Sequence, residues 1–346
     1  MENLTERIEC GMGADTANRD DGYSEERDGR ESDERTGRFF RDHERRFADF
    51  RYIYPVISRR AGGLSVGVNL TPGAECPFRC VYCQVDRAAL KTRGNPWAGG
   101  SPLEMVVTNG VVDVDRLESE LTWLAERIVS GEFWRTPPFD AVPSPLRRWN
   151  DIALSGDGEP TLSPVFSETM RRMTAVRERF AGECVDAGGV TLVLITSSAC
   201  LDLPSAQDGL ERLRALRRTG AGAIWAKLDA GTDLYYRRIN RSGISFERIV
   251  RNLTTEASHG PLVIQTLLVD GHAADGAPLR MDDSEINAYI ARLADLATTG
   301  GIDHIQIHTV ARRTDGLGVT MVTSEFADQV ADRVRRETRL RVIVYH

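Results

Sequence analysis

The sequence predicts an α/β fold: a partial, open (β/α)6 TIM-like barrel of parallel strands. Three observations lead there. Six short apolar runs recur along the 346-residue chain, at 64–70, 151–155, 191–197, 223–229, 262–269 and 304–310. Amphipathic stretches of helical length separate them, and strands that alternate with helices pair in parallel through right-handed crossovers. A loop of three cysteines follows the first run directly, at the strand end where barrels of this kind carry functional residues. Six units are fewer than a closed barrel needs, so the barrel is expected to be open on one side.

Residues 1–38 are rich in Asp, Glu, Arg, Gly and Ser and hold few large apolar side chains. Such a segment buries too little surface to offset its ordering entropy, so it reads as a disordered, charged N-terminal tail. An interaction tail is the alternative. The core domain is expected over 39–346, with N- and C-terminal extensions around the barrel. Apolar and aromatic residues return at Phe47, Phe50, Tyr52, Ile53, Tyr54, Val56 and Ile57.

The strand at 64–70 runs through Pro72-Gly73 into Cys76-Pro-Phe-Arg-Cys80-Val-Tyr-Cys83. The helix expected over 113–131 places Leu117, Leu121, Leu124 and Ile128 at helical spacing. Further helices are expected near 166–180, 206–219, 245–258 and 283–299, the fourth of these five helices opening on Ser245 as an N-cap. A last helix at 324–338 and a strand at 341–345 close the chain. Two connections rich in Gly or Pro, 92–112 and 133–150, are either lids over the open face or plain surface insertions.

No apolar stretch reaches the length of a membrane-spanning helix, and the N-terminus lacks a basic region followed by an apolar one. The expected setting is cytoplasmic and reducing, with no membrane partner. A net charge of −7 argues against a general electrostatic grip on nucleic acid but leaves room for a local basic patch. Nearly all basic residues are Arg; Lys occurs only at Lys91 and Lys227.

Thiolates as closely spaced as Cys76, Cys80 and Cys83 can share one metal or iron–sulfur centre. A zinc ribbon needs a second C-x2-C pair or a His pair, and neither follows. Three soft ligands with a fourth position open suit a [4Fe–4S] cluster; structural zinc is the alternative. Cys10 lies in the tail, and Cys184 and Cys200 are isolated, which fits buried, inert thiols.

After the second strand, Leu154-Ser-Gly-Asp-Gly-Glu-Pro-Thr-Leu162 forms a Gly-rich turn with exposed backbone groups. Its Glu159 carboxylate can hold an ammonium. In the strand at 223–229, alternation puts Trp225, Lys227 and Asp229 on one face, toward the mouth of the barrel. Lys227 there binds a carboxylate or acts as an amine nucleophile; the alternative is a Lys227–Asp229 pair that only secures the strand end. Gln265, Gln306 and His308 are candidates for the substrate side. Arg237, Arg238, Arg241, Arg312 and Arg313 form either an anion-binding rim or a solvated face.

Cys76-x3-Cys80-x2-Cys83 with Tyr82 before the last cysteine, followed one unit later by Gly158-Glu159-Pro160, resembles the radical S-adenosylmethionine superfamily. Ser65-Val-Gly-Val-Asn-Leu-Thr-Pro, Ser155-Gly-Asp-Gly-Glu-Pro-Thr and Lys227-Leu-Asp-Ala-Gly are similar to iron–sulfur oxidoreductases related to the tRNA wyosine-base (4-demethylwyosine) synthases. The resemblance runs from about Val56 to the last residue. It implies that Cys76, Cys80 and Cys83 bind three irons of a [4Fe–4S] cluster and that S-adenosyl-L-methionine takes the fourth. Reductive cleavage then gives a 5′-deoxyadenosyl radical that abstracts a hydrogen from a substrate. By the same resemblance Glu159 contacts the methionine ammonium, Gly158 and Pro160 shape the turn, Tyr82 lies near the adenine, and Thr196 and Ser197 meet the ribose or carboxylate. The implied partners are a small-molecule or RNA substrate and an electron donor such as flavodoxin or ferredoxin. The wyosine enzymes carry further cysteines upstream for a second cluster, where this chain has only Cys10. The alternatives are therefore a tRNA base-modifying enzyme and, outside enzymes, an iron–sulfur or zinc sensor or scaffold.

Overall fold

In the computed structural model, described residues are 47–72, 76–85, 112–180, 182, 189–310 and 318–346. The expected tail at 1–38, Cys10, Cys184, Arg312, Arg313 and nearly all of the 92–112 connection lie outside them. The first strands among the described residues are a hairpin of β1 (Ile53–Ser58) and β2 (Gly63–Val68), paired antiparallel. Five strands then join β2 in parallel: β3 (Trp149–Leu154), β4 (Thr191–Thr196), β5 (Gly222–Lys227), β6 (Leu262–Leu268) and, after a two-residue β7 (Asp270–Gly271), β8 (Ile302–Thr309). A two-residue β9 (Val319–Thr320) pairs with β7, and β10 (Val342–Tyr345) completes the sheet beside β8. The order is β1-β2-β3-β4-β5-β6-β8-β10, a curled half-barrel.

Among the described residues seven helices connect the strands: α1 (Val114–Val129), α2 (Phe166–Phe180), α3 (Pro204–Arg218), α4 (Asp233–Asn240), α5 (Phe246–Ala257), α6 (Asp283–Thr299) and α7 (Ser324–Thr338). Polar side chains cap several of these starts. Asp113 accepts from the Arg116 amide, Ser245 from Arg248, Asp282 from Glu285 and Thr323 from Phe326. The period-2 alternation of strands explains the two faces of the sheet. Leu64, Val66, Val68, Leu192, Leu194, Ile264, Ile305 and Ile307 are fully buried. Each such side chain contributes about 1.5–3 kcal/mol of burial free energy. The alternate positions, Ser65, Gly67, Ala153, Ile195, Trp225, Lys227, Gln265 and His308, line the hollow of the barrel.

The parallel barrel expected from the sequence is present, with four differences. Residues 53–58 form an edge strand, which tolerates Pro55 because an edge has one row of backbone groups outside the ladder. A short helix, α4, stands where the sequence suggested only an Arg-rich stretch. β5 ends at Lys227, so Asp229 lies beyond the strand. The 133–150 connection is no lid. It forms three short 3-10 turns, with Phe133 and Phe139 stacked 4.2 Å apart and packed near Phe47, and contributes nothing to the cavity lining. The reason is topological: it feeds the N-terminal end of β3, opposite the cysteine loop. None of the helices among the described residues is long and apolar enough to cross a membrane.

Candidate active site

The cysteine loop leaves the C-terminal end of β2 and is seated on the end of α4. The Arg79 and Val81 amides donate to the carbonyls of Asn240 (3.2 Å) and Ile239 (2.9 Å), and the Ser242 hydroxyl donates to the Pro77 carbonyl (2.9 Å). Within the loop the Cys83 amide donates to the Cys80 carbonyl at 3.0 Å, a turn that brings the last two cysteines round. All three cysteines are partly buried, carry no disulfide and line one cavity of about 380 Å3. Burial pushes the Cys80 thiol up, and the Lys227 charge opposes it.

Beneath the loop lies a buried polar knot. The Tyr82 hydroxyl donates to Asp229 Oδ2 and accepts from Lys227 Nζ at 2.9 Å. Asn240 Nδ2 stands 3.0 Å from Asp229 Oδ2, 3.3 Å from the Tyr82 oxygen and 3.6 Å from Cys80 Sγ. The Leu267 amide donates to Asp229 Oδ1 at 3.0 Å. Burial, with the Asp229 charge second, raises the Tyr82 phenol far above its usual range, so it stays protonated. Of the Trp225, Lys227 and Asp229 set expected at the mouth, Trp225 and Lys227 line the cavity. Asp229, 4% exposed, turns inward because the chain has already left β5.

The Gly-rich turn after β3 is stapled to the end of β2. Asn69 Nδ2 donates to Asp157 Oδ2 at 2.9 Å, and the Ser155 amide donates to the Val68 carbonyl at 3.1 Å. Gly156 has φ near +153°, and a Cβ there would stand 2.4 Å from Asn69 Oδ1, so this position requires glycine. Glu159 is 1% exposed and both its oxygens are engaged. Oε1 accepts from the Thr161 amide (3.3 Å), the Thr161 hydroxyl (2.6 Å) and the Thr196 hydroxyl (2.8 Å). Oε2 accepts from the Ser197 amide (2.7 Å) and hydroxyl (2.5 Å). The carboxylate thus joins the turn after β3 to the turn after β4 instead of standing open. Pro160 is buried at the start of the short turn Pro160–Leu162, while Gly158, Glu159, Thr196 and Ser197 line the cavity. Ser198 sits at φ +66°, held there as the Asn252 side chain donates to its carbonyl at 2.9 Å.

The floor of the hollow holds residues that sequence reasoning missed. Arg59 and Arg60, in the hairpin after β1, line it together with Tyr345 of β10. The Arg59 guanidinium donates to the His346 carbonyl, linking the two edge strands of the sheet. The Arg60 guanidinium stands 5.6 Å from the Trp225 ring centroid. In contrast, Arg237, Arg238 and Arg241 do not line the cavity. Arg237 pairs with Asp233 at 2.8 Å, Arg238 donates to the Pro278 carbonyl, and Arg241 caps α4 in a left-handed conformation. They belong to the helix whose C-terminal end carries the cysteine loop. Arg60 follows β1 in the turn to β2, so its place on the cavity wall depends on the sheet register and not on a local pattern.

Beside this floor, Ser65 Oγ donates to Asp151 Oδ1 at 2.5 Å. Burial pushes the Asp151 carboxyl up to about 7 from 3.8, with the Ser65 hydrogen bond and Arg60 opposing it. The folded protein therefore holds more protons than the unfolded chain between these values, and stability falls as pH rises through that window. The full difference is roughly 4 kcal/mol. Urea unfolding between pH 5 and pH 7.5 should show about 2.5 kcal/mol of this loss in the wild type and not in Asp151→Asn; equal slopes would refute it. His308, kept neutral by burial with Arg60 and Lys227 adding to the effect, loses stability in the opposite direction as pH falls, but equally in both proteins.

No three His, Cys, Asp or Glu side chains among the described residues converge on a single ion position. A tetrahedral zinc would hold its sulfurs about 3.8 Å apart, from a Zn–S length near 2.3 Å. A four-iron cluster spreads its ligands more widely, and the three thiols of one loop, each bordering the same open cavity, fit that donor set. Cys200, 0% exposed after β4, does not line the cavity, consistent with the inert reading; burial raises its thiol.

No family model matches the chain, and no curated protein matches it. Solved structures similar to it include TYW1 with a lysine-pyruvate adduct bound, at 15% identity over 82% of this chain and 76% of that one, with a TM-score of 0.46. Another is Streptococcus suis SuiB bound to S-adenosylmethionine, at 8% identity over 96% and 55%, with a TM-score of 0.42. A third is a domain of pyruvate-formate lyase-activating enzyme from Bacteroides vulgatus, at 14% identity over 57% and 99%, with a TM-score of 0.39.

Proposed function

We propose that the chain is a radical S-adenosylmethionine enzyme whose Cys76, Cys80 and Cys83 hold a [4Fe–4S] cluster. One observation carries this reading: the three thiols and the Gly156–Gly158 turn face each other across a single cavity at the C-terminal ends of the parallel strands. With reductant, the cluster and S-adenosylmethionine supply a 5′-deoxyadenosyl radical for hydrogen abstraction. The protein's part is to position and to exclude water. Glu159 is a positioning residue, fixing the Thr196–Ser197 turn through its hydrogen bonds, so that turn backbone and hydroxyl groups meet the cofactor. Lys227, tied to Tyr82 at the cavity wall, offers its ammonium to a carboxylate of the bound cofactor or substrate. The electron comes from a low-potential donor of the flavodoxin or ferredoxin class.

Anaerobic reconstitution with iron and sulfide, reduction, and addition of S-adenosylmethionine tests the reading. Chromatography should show 5′-deoxyadenosine and methionine. Glu159→Ala should keep the iron while weakening S-adenosylmethionine binding about tenfold or more, the loss of roughly 1.4 kcal/mol. A fully loaded cluster that yields no 5′-deoxyadenosine under these conditions would sink the proposal.

A further inference from the structure

The cavity floor presents polar groups that the cofactor reading leaves unused. Strand register sets Lys227 beside Gln265 and Gln265 beside Gln306. A hydrogen-bond chain then fixes the amide orientations. His304 Nδ1 bonds to Asp303 Oδ2 (2.6 Å), which leaves His304 Nε2 to accept from Gln306 Nε2 (3.1 Å). Gln306 Oε1 accepts in turn from Gln265 Nε2 at 2.8 Å. The chain ends at Gln265 Oε1, an acceptor on a side chain 1% exposed, lining the cavity with no hydrogen-bond partner. Buried polar atoms are nearly always paired, so this acceptor at the cavity wall marks a place for a hydrogen-bond donor of a ligand.

Arg60 supplies the complementary charge. Among the described residues no carboxylate forms a hydrogen bond or ion pair with its guanidinium; Asp151 nearby is engaged by Ser65. Arg60 precedes β2 and the cysteine loop follows it. The six residues of β2 separate them by about 20 Å of backbone. An anion on Arg60 therefore sits toward the far end of the hollow from the thiols.

We infer that this floor is the substrate site, and that the substrate is a small molecule carrying a carboxylate for Arg60 and a hydroxyl or amino hydrogen for Gln265 Oε1. A guanidinium matches a carboxylate edge to edge, while a phosphate dianion needs more donors than the floor presents. The inference rests on the hollow being the reaction chamber of the proposed radical enzyme.

Saturation-transfer NMR with a matched trio tests it: 3-hydroxybutyrate, butyrate lacking the hydroxyl, and 3-hydroxybutyramide lacking the charge. On the wild type, 3-hydroxybutyrate should bind about tenfold tighter than either control, as one well-made hydrogen bond or ion pair gives. Arg60→Gln should erase its advantage over the amide, and Gln265→Leu its advantage over butyrate. Equal binding of all three to the wild type, or an unchanged ranking in Arg60→Gln, overturns the inference. Should Gln265→Leu fail to fold, the Arg60 arm still decides. Equilibrium dialysis of S-adenosylmethionine against the reconstituted Arg60→Gln protein should give unchanged affinity; a loss would assign Arg60 to the cofactor instead and overturn the substrate site. If the trio ranks as expected but no 5′-deoxyadenosine forms, the floor site stands and the radical reading fails.

Discussion

Cys80→Ala is expected to lose the reconstituted cluster and to reduce 5′-deoxyadenosine formation to background. Cys80 is the middle cysteine of the loop, bordered by Asn240 on one side and by the cavity on the other. Two remaining thiolates cannot hold three irons, and no other cysteine among the described residues lines the cavity. The fold should survive, because the side chain is small and only partly buried, a change typically costing about 1 kcal/mol. Cys200→Ala is the matching control: the thiol is buried away from the cavity, so iron content and product should persist. Product formation by Cys80→Ala would remove the cluster assignment, and loss of iron in Cys200→Ala would demand a further ligand.

Asp229→Ala should be the most destabilising single change at the site, by about 3–5 kcal/mol. The carboxylate accepts from the Tyr82 hydroxyl, the Asn240 amide and the Leu267 backbone N–H, and stands 4.0 Å from Lys227 Nζ. Deleting it leaves these donors buried beneath the cysteine loop with no acceptor. Asp229→Asn keeps an acceptor for Leu267 and should cost less. Urea midpoints rank the three proteins, and iron retained after reconstitution reports whether the loop keeps its seat. A destabilisation below about 1 kcal/mol for the alanine variant would show that water substitutes for the carboxylate.

The half-barrel was legible because periodicity is a local property: each apolar run and its following helix declare themselves within a dozen residues. So was the cysteine loop, as spacing and position after a strand need no third dimension. β1 was obscured by Pro55 and by the polar turn behind it, and α4 by its shortness and its run of Arg. Alternation correctly placed Lys227 and Trp225 in the hollow but carried Asp229 one step too far, since nothing in Leu228–Asp229 announces that the strand has ended. Glu159 read as an open carboxylate because its partners Thr196 and Ser197 come from the next strand. Arg60, Ser65 and Asp151 meet only through sheet register, which no single stretch encodes.

The seat of the cysteine loop is built almost entirely from distant sequence. Tyr82 meets Asp229 across 147 residues, and Asn240 meets Tyr82 and Cys80 across 158 and 160. Contacts of such separation form late, after loop-closure entropy has been overcome. A nascent chain thus displays three neighbouring thiols long before β5 and α4 exist to shelter them. During synthesis those thiols are open to oxidants and stray metals, and insertion of the proposed cluster would have to wait until more than half of the chain has folded around the loop.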